Sequence, residues 1–327
     1  MKGMPTPSGD EPERRTFLKA IAGGAIASLL PASEALQHNG QADRSDYYAI
    51  LYDSTKCIGC NSCVIACKLW NGKLGGRFPF LVEDLKGPQE PPEKPRPDVH
   101  HFMVIDRFYN LRHYDGRAVF MRRSCMHCLE PPCMYVCPTK AIYQYKGINL
   151  TDFSRCFGCQ YCVVACPYKA RAFYDEWGVP VKCWMCLDRV EEGLAPACVS
   201  VCPVRALTFG SRNEILMKVR ERVKELQGEG RRVYVWGATE EELGSQGEIS
   251  VTREFGTNVI VISDVPFEEV DYPEPEMLVP APKGYPKMLM ERGGLAIFGG
   301  GAFIFLAFAL WRRSRIIKAK IKEIPRG

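Results

Sequence analysis

No stretch of the 327 residues reads as a substrate site. There is no glycine-rich nucleotide loop, no Gly-x-Ser-x-Gly nucleophile elbow and no histidine-rich haem site, and the chain holds only five His. Charge of one sign is also scarce. The 43 basic and 38 acidic residues leave a net charge of +5, which gives no support to a nucleic-acid binder. Hydrophobic residues at 46% and charged residues at 25% are ordinary for a folded protein. The length allows one large or two modest domains with extra segments.

What the chain does have is 16 Cys, and four runs account for all of them. The first is Cys57-x2-Cys60-x2-Cys63-x3-Cys67. The second is Cys125-x2-Cys128-x4-Cys133-x3-Cys137, followed by Pro138. The third is Cys156-x2-Cys159-x2-Cys162-x3-Cys166, followed by Pro167. The fourth is Cys183-x2-Cys186-x11-Cys198-x3-Cys202, followed by Pro203. The first and third match the bacterial ferredoxin run, with Lys68 where Pro is usual after the first. A fourfold repeat of this kind signals internal duplication.

In Cys-x2-Cys-x2-Cys a tight loop wraps one cubane, with thiolates facing iron and backbone N–H groups facing sulfur. Cys63 and Cys67 are four residues apart, so on a helix they share a face about 6 Å apart along the axis. One short helix then touches two neighbouring clusters. Disulfides suit exported chains, but a Cys-x2-Cys loop is too short to gain much entropy from closure. Zinc ribbons space two Cys-x2-Cys pairs by a long loop, and only the fourth run comes near that. The bases Lys56, Lys68, Arg122, Arg123, Arg155 and Lys182 flank the runs. They either offset cluster charge or form a solvated rim. His127, inside Cys-Met-His-Cys, reads as a neighbour of the ligands or a packing residue, because the Cys count is already complete. His100 and His101 read as loop residues.

Both ends look like addresses. Arg14-Arg15-Thr16-Phe17-Leu18-Lys19 precedes a weakly apolar stretch from Ala20 to Leu30, and Ser33-Glu34-Ala35 offers a cleavage site. Residues 1–35 therefore read as a bacterial twin-arginine signal peptide. Gly293 to Trp311 is uncharged for 19 residues and long enough to span hydrocarbon. The tail 312–327 carries seven bases and one acid, Glu323. The positive-inside rule places that tail in the cytoplasm and the body of the chain on the outer face. The expected localisation is the periplasmic face of the inner membrane, held by a single C-terminal pass.

Between these ends, 48–210 is expected to be the four-cluster domain, with 70–124 as an insertion. Gly87 to Pro97 reads as an extended surface loop, and Phe102–Phe108 with Arg117–Met121 as a strand pair. Residues 211–272 read as a small α/β elaboration. In it Asn213–Gln227 is an amphipathic helix stopped by Gly228, and Arg232–Trp236 and Asn258–Ser263 are strands. Residues 273–292 read as a linker to the transmembrane helix 293–311. The fold class expected is α+β, with two ferredoxin-like bis-[4Fe–4S] modules, loop insertions, the small α/β elaboration and a C-terminal transmembrane helix.

The order of the four runs and their x4 and x11 gaps resemble the four-cluster ferredoxin-type subunit of complex iron–sulfur enzymes. That family includes partners of formate dehydrogenase, dimethyl sulfoxide reductase, polysulfide reductase and quinone-linked nickel–iron hydrogenase. The likeness covers Tyr48 to Gly210. The signal, the C-terminal span and the stretch Gly256-Thr257-Asn258-Val259-Ile260-Val261-Ile262-Ser263-Asp264-Val265-Pro266 resemble the hydrogenase-2 type in particular.

The resemblance implies four [4Fe–4S] clusters and a ligand assignment. Cys57, Cys60, Cys63 and Cys202 share the first cluster, and Cys67, Cys183, Cys186 and Cys198 the second. Cys125, Cys128, Cys133 and Cys166 share the third, and Cys137, Cys156, Cys159 and Cys162 the fourth. It also implies a relay between a periplasmic catalytic subunit, hydrogenase favoured, and a quinone-reactive multi-spanning membrane subunit. A formate dehydrogenase or related molybdenum or tungsten enzyme is the alternative, and a free-standing membrane-tethered ferredoxin the second alternative. No substrate site and no catalytic residue is expected on this chain alone. Cys57→Ser is expected to remove or alter one cluster's electron paramagnetic resonance signal, and four unchanged signals would refute the assignment of Cys57.

Overall fold

The computed structural model describes residues 44–74, 77–86, 95–109, 111, 116–243, 250–251 and 256–273. The expected signal peptide, nearly all of the linker, the C-terminal span with its tail, and the centre of the Gly87–Pro97 loop lie outside them. Among the described residues no helix is long and apolar enough to cross a membrane. The chain divides into Met1–Arg44 and Ser45–Gly327, and every element below belongs to the second unit.

The elements in chain order are β1 (Tyr48–Asp53), α1 (Ser62–Lys68), β2 (Met103–Phe108), β3 (Val119–Ser124), α2 (Pro132–Tyr135), β4 (Ile142–Tyr145), β5 (Ile148–Thr151), α3 (Tyr161–Val164), β6 (Ala172–Tyr174) and β7 (Val179–Val181). Then come α4 (Leu187–Glu191), α5 (Ala197–Ser200), β8 (Leu207–Ser211), α6 (Arg212–Gly228), β9 (Tyr234–Trp236), α7 (Glu240–Leu243), β10 (Ser250–Val251) and β11 (Val259–Ser263). Mixed α/β content therefore describes the chain. Most helices are a single turn, too short to be stable without tertiary support.

The largest sheet has the order β10-β9-β11-β1-β8. β1 runs antiparallel to β8 and parallel to β11, with Ile50 opposite Val259. Strand alternation gives this sheet two buried faces. Ala49, Leu51, Val235, Ile260 and Ile262 pack against Ile215, Leu216, Val219, Val223 and Leu226 of α6. Ile50, Tyr52, Trp236, Val259 and Val261 face the core around the cysteine runs. Residues 211–272 are thus continuous with the sheet of the cysteine-bearing body, because β9 and β11 extend the β1–β8 pair. The strand pair of the insertion forms as β2 with β3, in register from Met103–Ser124 to Phe108–Val119.

Local chemistry explains α6. Ser211 Oγ accepts from the Glu214 N–H at 3.3 Å, and the Glu214 carboxylate accepts from the Ser211 N–H at 3.0 Å. This capping box starts a helix whose apolar residues recur at helical spacing. The β4–β5 hairpin turns on Lys146 and Gly147, both at positive φ, as a two-residue hairpin requires. A Cβ on Gly147 would stand 2.6 Å from the Asn258 amide nitrogen, which donates to the Gly147 carbonyl.

A buried guanidinium fastens the sheet to the cysteine runs. Arg212 donates to both oxygens of Glu242 at 2.7 and 2.8 Å, and to the carbonyls of Thr257 and Gly237. The turn it holds sits on the second run. The N–H groups of Asn258 and Val259 donate to the carbonyls of His127 and Met126, and Leu129 N–H donates to Gly256. Burial pushes the Glu242 carboxyl up, but hydrogen bonds and charge from Arg212 outweigh it and hold the group below its ordinary value. That pair's stabilisation is complete above the ordinary glutamate range and fades as pH falls through the depressed value. Arg212→Met is expected to cost about 3 kcal/mol in denaturant unfolding at neutral pH. The cost shrinks in acid, and equal stability of the two proteins at pH 7 would refute this role.

Candidate functional site

None of the sixteen cysteines is paired in a disulfide. Cys57, Cys60, Cys63 and Cys202 line one small cavity. Cys67, Cys183, Cys186 and Cys198 line a second. Cys137, Cys156, Cys159 and Cys162 line a third. The remaining four also meet: burial pushes the Cys128 thiol well up, and the charges of Cys125, Cys133 and Cys166 add to it. The chain reaches this grouping by crossing its helices. α1, with Cys63 and Cys67, packs on α5, with Cys198, while α2, with Cys133, packs on α3, with Cys162.

Among the described residues no three Cys, His, Asp or Glu side chains stand close enough to hold a single ion. A tetrahedral zinc site needs four sulfurs about 2.3 Å from one centre. Four thiols that converge without closing on a single ion suit a larger guest with several metal atoms.

Backbone geometry prepares the sulfurs for such a guest. The third residue of the first Cys-x2-Cys loop in each run has positive φ: Gly59, His127, Gly158 and Met185. At Gly59 a Cβ would also lie 2.2 Å from the Phe120 ring, so only glycine fits there. Four residues past the last Cys of runs two, three and four, a backbone N–H donates back to that Cys sulfur. The donors are Ala141 to Cys137 at 3.3 Å, Ala170 to Cys166 at 3.4 Å and Ala206 to Cys202 at 3.2 Å.

The first run departs from this because Lys68 replaces Pro. Lys has an N–H to give, so the helix continues through a wide turn from Leu69 to Leu74. Asn71 then supplies by side chain what the other runs supply by backbone. Its amide donates to the Cys67 carbonyl at 2.8 Å and Cys67 Sγ at 3.5 Å, and lies 3.8 Å from Cys186 Sγ. Trp184 Nε1 holds the other end of that amide.

Burial and crowding raise half of the thiols. Burial pushes Cys63 up to about 12, with Cys198 adding to the shift and Arg122 opposing it. Burial takes Cys166 to about 11, and Cys67 is raised well above its usual value by burial, then by Cys186. Thiols this crowded become ligating thiolates only when a cation takes their protons' place. Cys60, which is exposed, is lowered instead by hydrogen bonds from Ser62.

The flanking bases divide. Lys68, Arg122, Arg123 and Lys182 are buried. Arg155 is exposed, and Lys56 reaches Asp53 at 3.8 Å from a half-exposed position. Arg123 is paired with Asp106 at 3.1 Å. Arg171 is buried as well and donates to Cys133 Sγ at 3.4 Å. Neither Arg171 nor Asn71 stands out in the sequence, since nothing in their spacing points to sulfur.

His127 is fully buried. Burial, then the charges of Lys182, Arg122 and Arg171, hold it well below its usual value, so it is neutral. Asn149 N–H donates to its Nδ1 at 3.1 Å, which puts the ring proton on Nε2. That Nε2 has no protein partner, an orphaned donor beside the second run. Converged thiols, N–H groups aimed at sulfur and buried cations together fit iron–sulfur clusters.

Comparison with known proteins agrees. The description "4Fe-4S dicluster domain" matches residues 117–212 and, separately, residues 56–141. The "Thiosulfate reductase electron transfer subunit PhsB" of Salmonella typhi is 39% identical over 52% of this chain and 79% of its own length. The "Hydrogenase-2 operon protein HybA" of Escherichia coli O157:H7 is 28% identical over 80% of this chain and 84% of its own. A Nitratidesulfovibrio vulgaris protein is 34% identical over 78% of this chain, which spans 65% of that relative.

Asn71→Ala removes one hydrogen bond from Cys67 sulfur and leaves its thiol in place. The cluster beside Cys67 is expected to show a lower midpoint potential in a redox titration followed by electron paramagnetic resonance. An unchanged midpoint would mean the amide does not act on that sulfur.

Proposed function

We propose a specific role from the premise that this chain belongs to the ferredoxin-type iron–sulfur electron-transfer subunits of multisubunit oxidoreductases. It relays electrons between a catalytic subunit and a quinone-reactive membrane subunit, and it holds four [4Fe–4S] clusters. The first is bound by Cys57, Cys60, Cys63 and Cys202, and the second by Cys67, Cys183, Cys186 and Cys198. The third is bound by Cys125, Cys128, Cys133 and Cys166, and the fourth by Cys137, Cys156, Cys159 and Cys162. Such a cluster supplies a reversible one-electron change.

The observation that carries this reading is the order in which the quartets adjoin. Cys63 of the first feels the charge of Cys198 in the second. Cys183 of the second feels Cys125 in the third, and Cys162 of the fourth feels Cys133 in the third. The quartets thus adjoin first to second, second to third and third to fourth. The two terminal quartets carry exposed apolar residues in matching places, Ile58 between Cys57 and Cys60, and Phe157 between Cys156 and Cys159. Ile65 and Val201 extend the first surface, and Tyr161 and Val164 the second. Exposed apolar patches of this kind mark docking sites. A series with a dock at each end suits fixed partners on two sides, which a diffusing carrier does not need.

The residues of the chain keep the path dry and the sulfurs polarised. Tyr52 and Trp184 close over the first and second quartets, and backbone N–H groups hold the terminal thiols of three runs. Residues 1–35 export the chain by the twin-arginine route, and 293–311 anchor it at the periplasmic face, with the basic tail inside. The catalytic partner is a nickel–iron hydrogenase. Support for this lies in the likeness to the hydrogenase-2 operon protein, which runs over most of both chains.

The test is metal analysis of the complex that co-purifies with this chain from membranes in mild detergent. Nickel together with about sixteen iron atoms on this chain, four per cubane, is expected. Molybdenum or tungsten without nickel would replace the hydrogenase with a formate dehydrogenase or related enzyme. A chain that purifies alone would mean a tethered ferredoxin.

A further inference from the structure

Among the described residues two buried guanidiniums have no carboxylate partner. Arg122 on β3 is buried, its Nε donates to Met103 Sδ at 2.9 Å, and its Nη1 has no protein partner. Arg171, just before β6, is buried and donates to Thr151 Oγ1 at 3.3 Å and Cys133 Sγ at 3.4 Å. Elsewhere the chain neutralises its buried guanidiniums with carboxylates, Arg123 with Asp106 and Arg212 with Glu242. Removing a charge from water without a counter-charge is among the costliest acts in folding. An anion must therefore reside beside each of these two.

Their surroundings name that anion. Arg122 lines the cavity of Cys67, Cys183, Cys186 and Cys198. The thiols that act on it are Cys198, Cys183 and Cys67 of that quartet and Cys63 of the first. Those that act on Arg171 are Cys133, Cys125 and Cys166 of the third quartet and Cys162 of the fourth. The pattern is the same in both halves: the charges acting most on each guanidinium come from three thiols of an inner quartet and one of the adjoining outer quartet. The two arginines come from unrelated places in the runs, three residues before Cys125 and five after Cys166, so sequence duplication does not explain the match.

We propose that Arg122 and Arg171 are the paired counter-charges of the relay, each raising the potential of its inner cluster strongly and of the adjoining outer cluster weakly. The physical ground is simple. A reduced cluster carries one more negative charge than an oxidised one, so a fixed cation nearby favours reduction. A guanidinium keeps its charge at every pH the protein meets. Low-dielectric surroundings lengthen its reach, and its effect falls with distance along the series. This inference rests on the quartets holding clusters as proposed above.

The experiment is a redox titration of the purified complex, followed by electron paramagnetic resonance, for the parent, Arg122→Gln, Arg171→Gln and the charge-keeping Arg122→Lys and Arg171→Lys. In Arg122→Gln the midpoint of the cluster on Cys67, Cys183, Cys186 and Cys198 falls most, that of its outer neighbour falls less, and that of the cluster on Cys137, Cys156, Cys159 and Cys162 moves least. Arg171→Gln gives the mirror result. Each Lys variant keeps its midpoints nearer the parent than the Gln variant does. If a Gln variant loses only the inner cluster's iron and the Lys variant retains it, the counter-charge is required for binding and the proposal stands. Midpoints unmoved in both Gln variants, or all four moved alike, overturn it. So does a Lys variant whose inner midpoint falls below the parent's as far as glutamine would take it or further. A parent without cluster signals would instead sink the cluster reading itself.

Discussion

Sixteen thiols crowded into four groups repel one another once ionised, and everything else in this molecule is arranged around that repulsion. Burial and mutual charge raise Cys67, Cys128 and their neighbours well above ordinary thiols. Bound metal relieves the repulsion by replacing protons with iron. Cluster binding is then part of folding free energy, as in other small metal-stapled proteins. The helices point the same way. Single-turn α2, α3 and α5 could not persist alone, and each carries or adjoins a cysteine that ties it to a run elsewhere in the chain.

A second layer of structure holds the runs in place. The five-stranded sheet is buried on both faces, one against α6 and one against the cysteine-bearing core. β11 lies parallel to β1 and brings residues 256–259 against the loop from Met126 to Leu129. Arg212, Glu242 and Asn258 tie that contact together from inside. What looks in sequence like an appendage after the last run is therefore the brace for the second run. Departures from the motif are absorbed locally: where Lys68 replaces Pro, the helix runs on and Asn71 supplies the hydrogen bond to sulfur.

Charge completes the picture. Among the described cations near the quartets, some are matched by carboxylates and some meet sulfur, hydroxyl or backbone groups instead. Arg122 and Arg171 belong to the second kind, and Lys182 donates to the carbonyls of Asn149 and Cys183 between the inner quartets. His127 stays neutral among them because three cations and complete burial oppose its charge. Buried cations thus gather beside the inner quartets, and exposed apolar residues stand at the outer ones.

By itself the sequence determined the chemistry. Cys spacing separates iron–sulfur runs from disulfides and ribbons because ligand geometry is a local property of a few consecutive residues. The helix Arg212–Gly228 and the strand pair of the insertion were legible for the same reason, since capping and periodicity act over one or two turns. Which runs meet came from family likeness, not from spacing. Only tertiary structure decided that Arg122 is buried while Arg155 is exposed, that Asn71 reaches a sulfur 115 residues away, and that Arg171 matters at all. Electrostatic effects follow distance through space and exclusion from water, and neither is written in the order of residues along the chain.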